Sequence, residues 1–132
     1  MIPDTGLEWI VDARGCPAAR LADLDAVRLC CERIVREMQL HVVGQPQWRK
    51  FDGPGGVTGL YLLSESHLSV HTFPEFGLLC LNVYCCRPRA TPKWETLLRD
   101  ELGATAVVVR QLTRGLCDEV PATAESAGGE SS

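Results

Sequence analysis

The sequence contains no long apolar run and no concentrated positive charge, and these absences exclude several classes of protein. No stretch approaches the roughly 18 consecutive apolar residues that a membrane-spanning helix needs. The formal net charge is −4, and the basic cluster "WRK" at 48–50 is too short to provide a nucleic-acid-binding face. The opening "MIPDTG" lacks the basic and apolar regions of an export signal. We therefore expect a soluble, cytoplasmic protein that binds neither nucleic acid nor membrane.

The cysteines do not show the spacing of a disulfide framework or of a zinc ribbon. There are seven of them, an odd number, with adjacent pairs at 30–31 and 85–86 and no CxxC motif. This pattern predicts reduced thiols that act mostly as small core residues.

Length and composition predict one globular domain. The chain has 132 residues, of which 45% are hydrophobic and 23% charged, which suffices for a single core. We predict that this domain spans 1–120. The small, polar segment "PATAESAGGESS" at 121–132 is typical of a disordered tail.

Residue periodicity predicts the element order β-α-β-β-β-α-β. A glycine-rich segment, "FDGPGGVTG" at 51–59, reads as a loop. Such an order favours a two-layer α+β sandwich, with two helices on one face of an antiparallel sheet and the other face available for pairing with a second copy. The predicted strands are 7–15, 40–48, 60–64, 78–86 and 105–112, and the predicted helices are 21–40 and 91–102.

The segment "LLSESHLSVHTFPEFG" at 62–77 concentrates reactive side chains and allows several interpretations. Its serines and histidines fit the solvent-exposed face of a half-buried strand. A zinc site would use His67 and His71 with a thiol from Cys80, Cys85 or Cys86. That histidine spacing suits a helix, whereas on a strand the rings lie about 13 Å apart, and the flanking residues predict a strand. A Cys86–His71 nucleophile pair is chemically reasonable, but nothing in the sequence places the two together.

The block "SESHLSVHTFPEFG" resembles the signature of the bacterial S-adenosylmethionine decarboxylase family. The shared features are a Ser-Glu-Ser-His, a histidine four residues later, an aromatic-Pro-Glu and a downstream cysteine, and the resemblance extends more loosely over 7–114. It implies self-cleavage between Glu65 and Ser66, started by attack of the Ser66 hydroxyl on the preceding carbonyl. The ester that results is eliminated to leave a pyruvoyl group, a covalent cofactor that takes the substrate's amine as a Schiff base and accepts the electrons released on decarboxylation.

The resemblance also implies roles for the surrounding residues. His71 corresponds to the base of the processing reaction, and Thr58 stands where a serine hydroxyl is expected to stabilise the tetrahedral intermediate. Cys86 corresponds to the proton donor in turnover, although a shift of one residue would exchange it with Cys85. We expect a strained backbone at the cleavage site, constrained by the glycine-rich loop and Pro74. No metal is implied.

Substrate recognition is assigned by the same resemblance. Phe73 and Phe51 correspond to aromatic residues that hold a purine, with core filling as the alternative for each, and Glu75 to a carboxylate that binds ribose hydroxyls. S-adenosylmethionine is therefore the expected substrate, and the product would serve as aminopropyl donor in spermidine synthesis. The departures Thr58 and Asn82 keep arginine or ornithine open as substrates, because pyruvoyl chemistry needs only an amino acid. The remaining alternatives are an inactive paralogue and a zinc-binding module.

The family pattern also implies a homodimer of cleaved protomers with its sites at or near the interface.

Overall fold

The computed structural model describes residues 6–86 and 90–115, and within them the chain forms a six-stranded antiparallel sheet covered by helices on one face. The strand order across the sheet is β2-β3-β4-β5-β1-β6. The strands are β1 Gly6–Arg14, β2 Gln47–Lys50, β3 Val57–Leu62, β4 His67–Phe73, β5 Leu78–Cys85 and β6 Ala106–Arg114. The helices are α1 Ala18–Leu21, α2 Leu24–Glu37 and α3 Trp94–Leu102, and a 3-10 turn spans Pro74–Phe76.

The predicted fold class, a two-layer α+β sandwich, is confirmed, but the element order contains one more strand than predicted. The histidine-containing segment forms β4, which pairs with β3 on one side and β5 on the other. The predicted strand at 40–48 is wrong over most of its length. Only 47–50 is a strand, with a single bridge at Val42, because Gly44 has a φ of 71° and Pro46 lacks the N–H that a ladder needs.

Alternation along the strands separates a buried face from an open one. On β1 and β5, side chains such as Trp9, Val11 and Leu81 point toward the helices and are at most 3% exposed. They pack against one face of α2, whose Val27 and Ile34 are fully buried. The core therefore lies entirely between the sheet and the helices.

Two sequence signals set the helix ends. Asp23 caps α2 as predicted, since its Oδ1 accepts hydrogen bonds from the amides of Asp25 at 3.0 Å and Ala26 at 3.2 Å. Helix α3 begins at Trp94, two residues later than the proline signal predicts, and ends at Gly103, whose φ of 71° is left-handed. The two helices run across the same side of the sheet.

The opposite face of the sheet, here called the open face, carries most of the predicted site residues and several apolar side chains. Leu60, Leu62, Val108 and Leu112 are 42–62% exposed on it. The described ranges contain no helix with the length and apolarity to cross a membrane. The predicted tail at 121–132 lies outside the described residues.

Candidate active site

The residues predicted to form one site occupy two places, at opposite ends of β4. The first, the cleavage turn, comprises residues 63–66, which join β3 to β4, together with Cys86 just after β5. The second, the cleft, is lined by Phe51, His71, Phe73 and Glu75. Thr58 contacts His71 at the edge of the cleft.

The peptide bond between Glu65 and Ser66 lies in a tight turn. Leu63 and Ser66 bond to each other twice: the Leu63 amide donates to the Ser66 carbonyl at 2.9 Å, and the Ser66 amide donates to the Leu63 carbonyl at 3.4 Å. The hairpin loop between them therefore consists of Ser64 and Glu65 alone. The Ser64 amide also donates to the His41 carbonyl at 2.9 Å. A strained backbone was expected here, and neither turn residue has the positive φ of a left-handed conformation. Hydrogen bonds to neighbouring segments hold the turn instead.

The expected constraint from the glycine-rich loop and Pro74 is not present at this turn. Both lie beside the cleft, where Pro54, Gly56 and the Phe73 side chain meet, at the far end of β4. Within one chain they therefore shape the cleft and leave the cleavage turn untouched.

The thiol of Cys86 donates a hydrogen bond to the carbonyl oxygen of Glu65. This carbonyl is the group that the Ser66 hydroxyl would attack. A donor on its oxygen polarises the carbonyl and stabilises the negative charge that develops as the bond to Ser66 forms. The neighbouring Cys85 is 1% exposed and packs in the core, whereas Cys86 is exposed.

Thr58 and His71 face each other directly across β3 and β4. Thr58 Oγ1 lies 2.5 Å from His71 Nδ1, and this short hydrogen bond fixes the orientation of the imidazole ring. The ring sits between two aromatic rings, with centroid distances of 4.5 Å to Phe73 and 5.9 Å to Phe51. An imidazole that is oriented in this way and flanked by aromatic rings could exchange a proton with a small molecule held in the cleft.

The cleft has a volume of about 240 Å³. Glu75 lines it, and so do Asp52, Pro54 and Gly56, which were not predicted from the sequence. Their position in the glycine-rich loop next to Phe51 could have indicated that they line the cleft. The loop folds back on itself, and the Phe51 amide donates to the Gly56 carbonyl at 2.8 Å. Phe51 is 39% exposed, so its ring forms a wall of the cleft and does not fill the core.

The two groups are too far apart to act on each other within one chain. His71 is four residues from His67 along β4, a distance of about 13 Å at the rise of a strand, and Ser66 lies one residue further. The same separation keeps the two histidines from sharing a metal. Across the two described stretches of chain, no three His, Cys, Asp or Glu side chains are grouped so that they could hold an ion.

A charged cluster lies on the open face near the cleavage turn. Arg114 Nη1 is 2.6 Å from Glu8 Oε1, its guanidinium stacks 5.9 Å from the Tyr84 ring centroid, and the Asn82 amide donates to Glu8. Burial raises the pKa of Glu8, but the hydrogen bonds from Asn82 and Arg114 outweigh it and hold the pKa below its ordinary value. An aspartate at position 82 would place a second negative charge against Glu8, which accounts for the asparagine.

Comparison with known proteins agrees with the resemblance carried by residues 64–77. The family profile described as S-adenosylmethionine decarboxylase matches residues 7–115. The S-adenosylmethionine decarboxylase proenzyme of Pyrococcus furiosus is 33% identical over 115 residues, which cover 86% of this chain and 81% of that protein. Proenzyme 2 of Halalkalibacterium halodurans is also 33% identical over 115 residues, covering 84% of this chain and 87% of that one.

Among solved structures, the adenosylmethionine decarboxylase of Aquifex aeolicus superposes with a TM-score of 0.72 at 26% identity. The alignment covers 89% of this chain and 97% of that one. Sequence and fold agree over nearly the same residues, so the resemblance is confirmed: the chain belongs to the S-adenosylmethionine decarboxylase family.

Proposed function

We propose that this protein decarboxylates S-adenosylmethionine, using a pyruvoyl group that it makes by cutting its own chain between Glu65 and Ser66. The product would be the aminopropyl donor for polyamine synthesis, an activity that fits the predicted cytoplasmic location. One observation carries the proposal: the Cys86 thiol donates to the Glu65 carbonyl oxygen at the bond that would be cut. The two relatives described above are both named proenzymes, which also supports processing of the chain.

The residues at the cleavage turn have the chemistry that cleavage requires. Attack by Ser66 Oγ on the Glu65 carbonyl carbon moves an electron pair onto the carbonyl oxygen, where the Cys86 donor stabilises it. Collapse breaks the C–N bond and gives an ester, and the proton lost by the Ser66 hydroxyl is taken up by the nitrogen that leaves, which becomes the free amine of Ser66. Removal of the Ser66 Cα proton by His71 then expels the Glu65 carboxylate, and hydrolysis with loss of ammonia leaves a ketone. This ketone supplies the electron sink for decarboxylation.

The distance between the two groups implies that a working site draws on two chains. Since His71 lies about 13 Å or more from Ser66 in its own chain, the base that acts on Ser66 has to come from another copy. A two-fold dimer that stacks the open faces, with β4 of the two copies antiparallel, sets each cleavage turn against His71 of the partner subunit. Leu60, Leu62 and Leu112 supply exposed apolar surface for this contact. We infer a homodimer with two such sites.

The cleft favours S-adenosylmethionine over a basic amino acid. Phe51 and Phe73 offer two aromatic surfaces, which suit both a purine ring and a sulfonium cation. The carboxylate of Glu75 can accept hydrogen bonds from ribose hydroxyls. Arginine and ornithine lack the purine and the ribose, so they would leave most of these groups unused.

A decarboxylation assay with S-adenosylmethionine, arginine and ornithine in parallel tests this proposal. Release of carbon dioxide from S-adenosylmethionine, and none from the other two, is the expected result. The matched control is the Ser66→Ala chain purified in the same way, which should release none. Turnover of arginine or ornithine in place of S-adenosylmethionine would reassign the substrate, and an uncut chain inactive on all three would indicate a paralogue without catalytic function.

A further inference from the structure

Thr72 is buried on the helix side of β4, immediately after His71. Its side chain is polar and only 1% exposed. Its hydroxyl group has two partners: Oγ1 accepts from the Val57 amide at 2.9 Å and donates to the Leu21 carbonyl at 2.8 Å. Thr72 thus connects the start of β3, the end of β4 and the end of α1.

These contacts place Thr72 next to both members of the Thr58–His71 pair. The β3–β4 ladder ends with that pair, and the Thr72 hydroxyl supplies the next hydrogen bond by holding Val57, the residue before Thr58. Without that bond the ladder would be free to fray from its last pair. The segment also approaches closely at Gly56, where an added Cβ would lie 2.5 Å from the Thr72 carbonyl oxygen.

The same anchor holds the loop that carries Phe51. Lys50 and Val57 pair across β2 and β3 at the two ends of this loop. Lys50 Nζ donates to the Ala22 carbonyl at 2.5 Å, while Val57 reaches the Leu21 carbonyl through Thr72. Both ends of the loop are therefore tied to consecutive carbonyl groups at the end of α1, so the loop cannot shift without breaking one of these bonds.

We propose that Thr72 is a positioning residue, which sets the Thr58–His71 pair for self-cleavage and the Phe51 wall for substrate binding. The expected effects on cleavage and on substrate binding rest on the proposed function. The effect on the orientation of His71 does not, because it applies to uncut protein as well. Thr72 is one of the residues that line the cleft, but its hydroxyl group faces the core, where it contacts the Val57 amide and the Leu21 carbonyl.

The kinetic test compares Thr72→Val with Thr72→Ser. Valine keeps the side-chain volume and removes the hydroxyl group. We expect self-cleavage to slow by about ten- to a hundredfold, the usual effect of moving a catalytic group out of position. In the chains that are cut, the KM for S-adenosylmethionine should rise. Serine keeps the hydroxyl group and should restore both. Ile34→Val, a core substitution on α2 away from the cleft, is the control for lowered stability alone and should cleave normally. Cleavage by Thr72→Val at the Ile34→Val rate would overturn the proposal.

A second measurement does not depend on cleavage. In the uncut Ser66→Ala background, the imidazole ¹⁵N resonances of His71 report its hydrogen bond to Thr58. Adding Thr72→Val should shift the Nδ1 resonance, and adding Thr72→Ser should not; an unchanged resonance with valine would refute the positioning role. If Thr72→Val does not fold, Thr72→Ala removes the same hydroxyl group, and the same two results apply to it. Failure of the unmodified chain to cleave would remove the proposed function while leaving this spectroscopic test intact.

Discussion

Mixing two inactive variants tests whether the site is built from two chains. The first variant, His71→Ala, keeps Ser66 but lacks the base, and the second, Ser66→Ala, keeps the base but cannot cleave itself. Each alone should stay uncut. In a mixed dimer, Ser66 of the first chain meets His71 of the second, so one complete site is restored.

The structure sets the size of the effect. Because Ser66 and His71 are separated by more than about 13 Å along β4, no site can form within either variant chain. Random pairing of equal amounts places about half of the His71→Ala chains in mixed dimers, and only those chains can be cut. We therefore expect about half of the His71→Ala chains, and none of the Ser66→Ala chains, to be cleaved.

The assay is co-expression with different affinity tags, purification through the tag on the His71→Ala chain and mass spectrometry of the retained chains. Retention of both variants shows that mixed dimers have formed. Intact His71→Ala chains in those dimers would refute the two-chain site, and so would cleavage of His71→Ala expressed alone.

Three further predictions follow from individual contacts. Cys86→Ala should cleave itself more slowly, because the Glu65 carbonyl oxygen loses its donor, and the cleaved protein should turn over about ten- to a hundredfold more slowly in a steady-state assay, because it loses a proton donor. Arg114→Gln should raise the pKa of Glu8 toward its ordinary value of 4.5. Ionised Glu8 stabilises the folded chain above that pH, and this stabilisation is lost as the pH falls through the folded-state pKa. In Arg114→Gln the loss should therefore begin at a higher pH, as measured by thermal unfolding at a series of pH values. The same pH dependence in both proteins would argue against the contact. Alkylation of folded protein should modify the exposed Cys86 and spare Cys30 and Cys31. Burial raises the pKa of Cys30 to about 12 and raises the pKa of Cys31 further, so neither forms a reactive thiolate. Early labelling of either would contradict their placement in the core.

The sequence predicted the chemical groups better than their arrangement. The Ser-Glu-Ser-His block and its downstream histidine and cysteine identified the family, because such a dense set of reactive residues is specific to its chemistry. The capped helix after Asp23 was also predictable, since its signals are local. Which residues face each other across strands depends on register, and the pairing of Thr58 with His71 could not be obtained from spacing alone.

The missed strand has a local cause. The connection between β3 and β4 consists of Ser64 and Glu65, without the glycine, asparagine or proline that usually marks a hairpin turn. The block therefore reads as a continuation of the preceding strand. In the structure the chain reverses direction at Ser64 and Glu65, so the cleavage turn lies at the start of β4 and the cleft at its end.

The most direct test of the account is denaturing mass spectrometry of freshly folded, unmodified protein. Two fragments that divide between Glu65 and Ser66, the second beginning with a ketone that hydroxylamine traps, are the predicted result. A single species that stays at the full 14.5 kDa and forms no adduct would contradict the central claim that this chain generates its own cofactor.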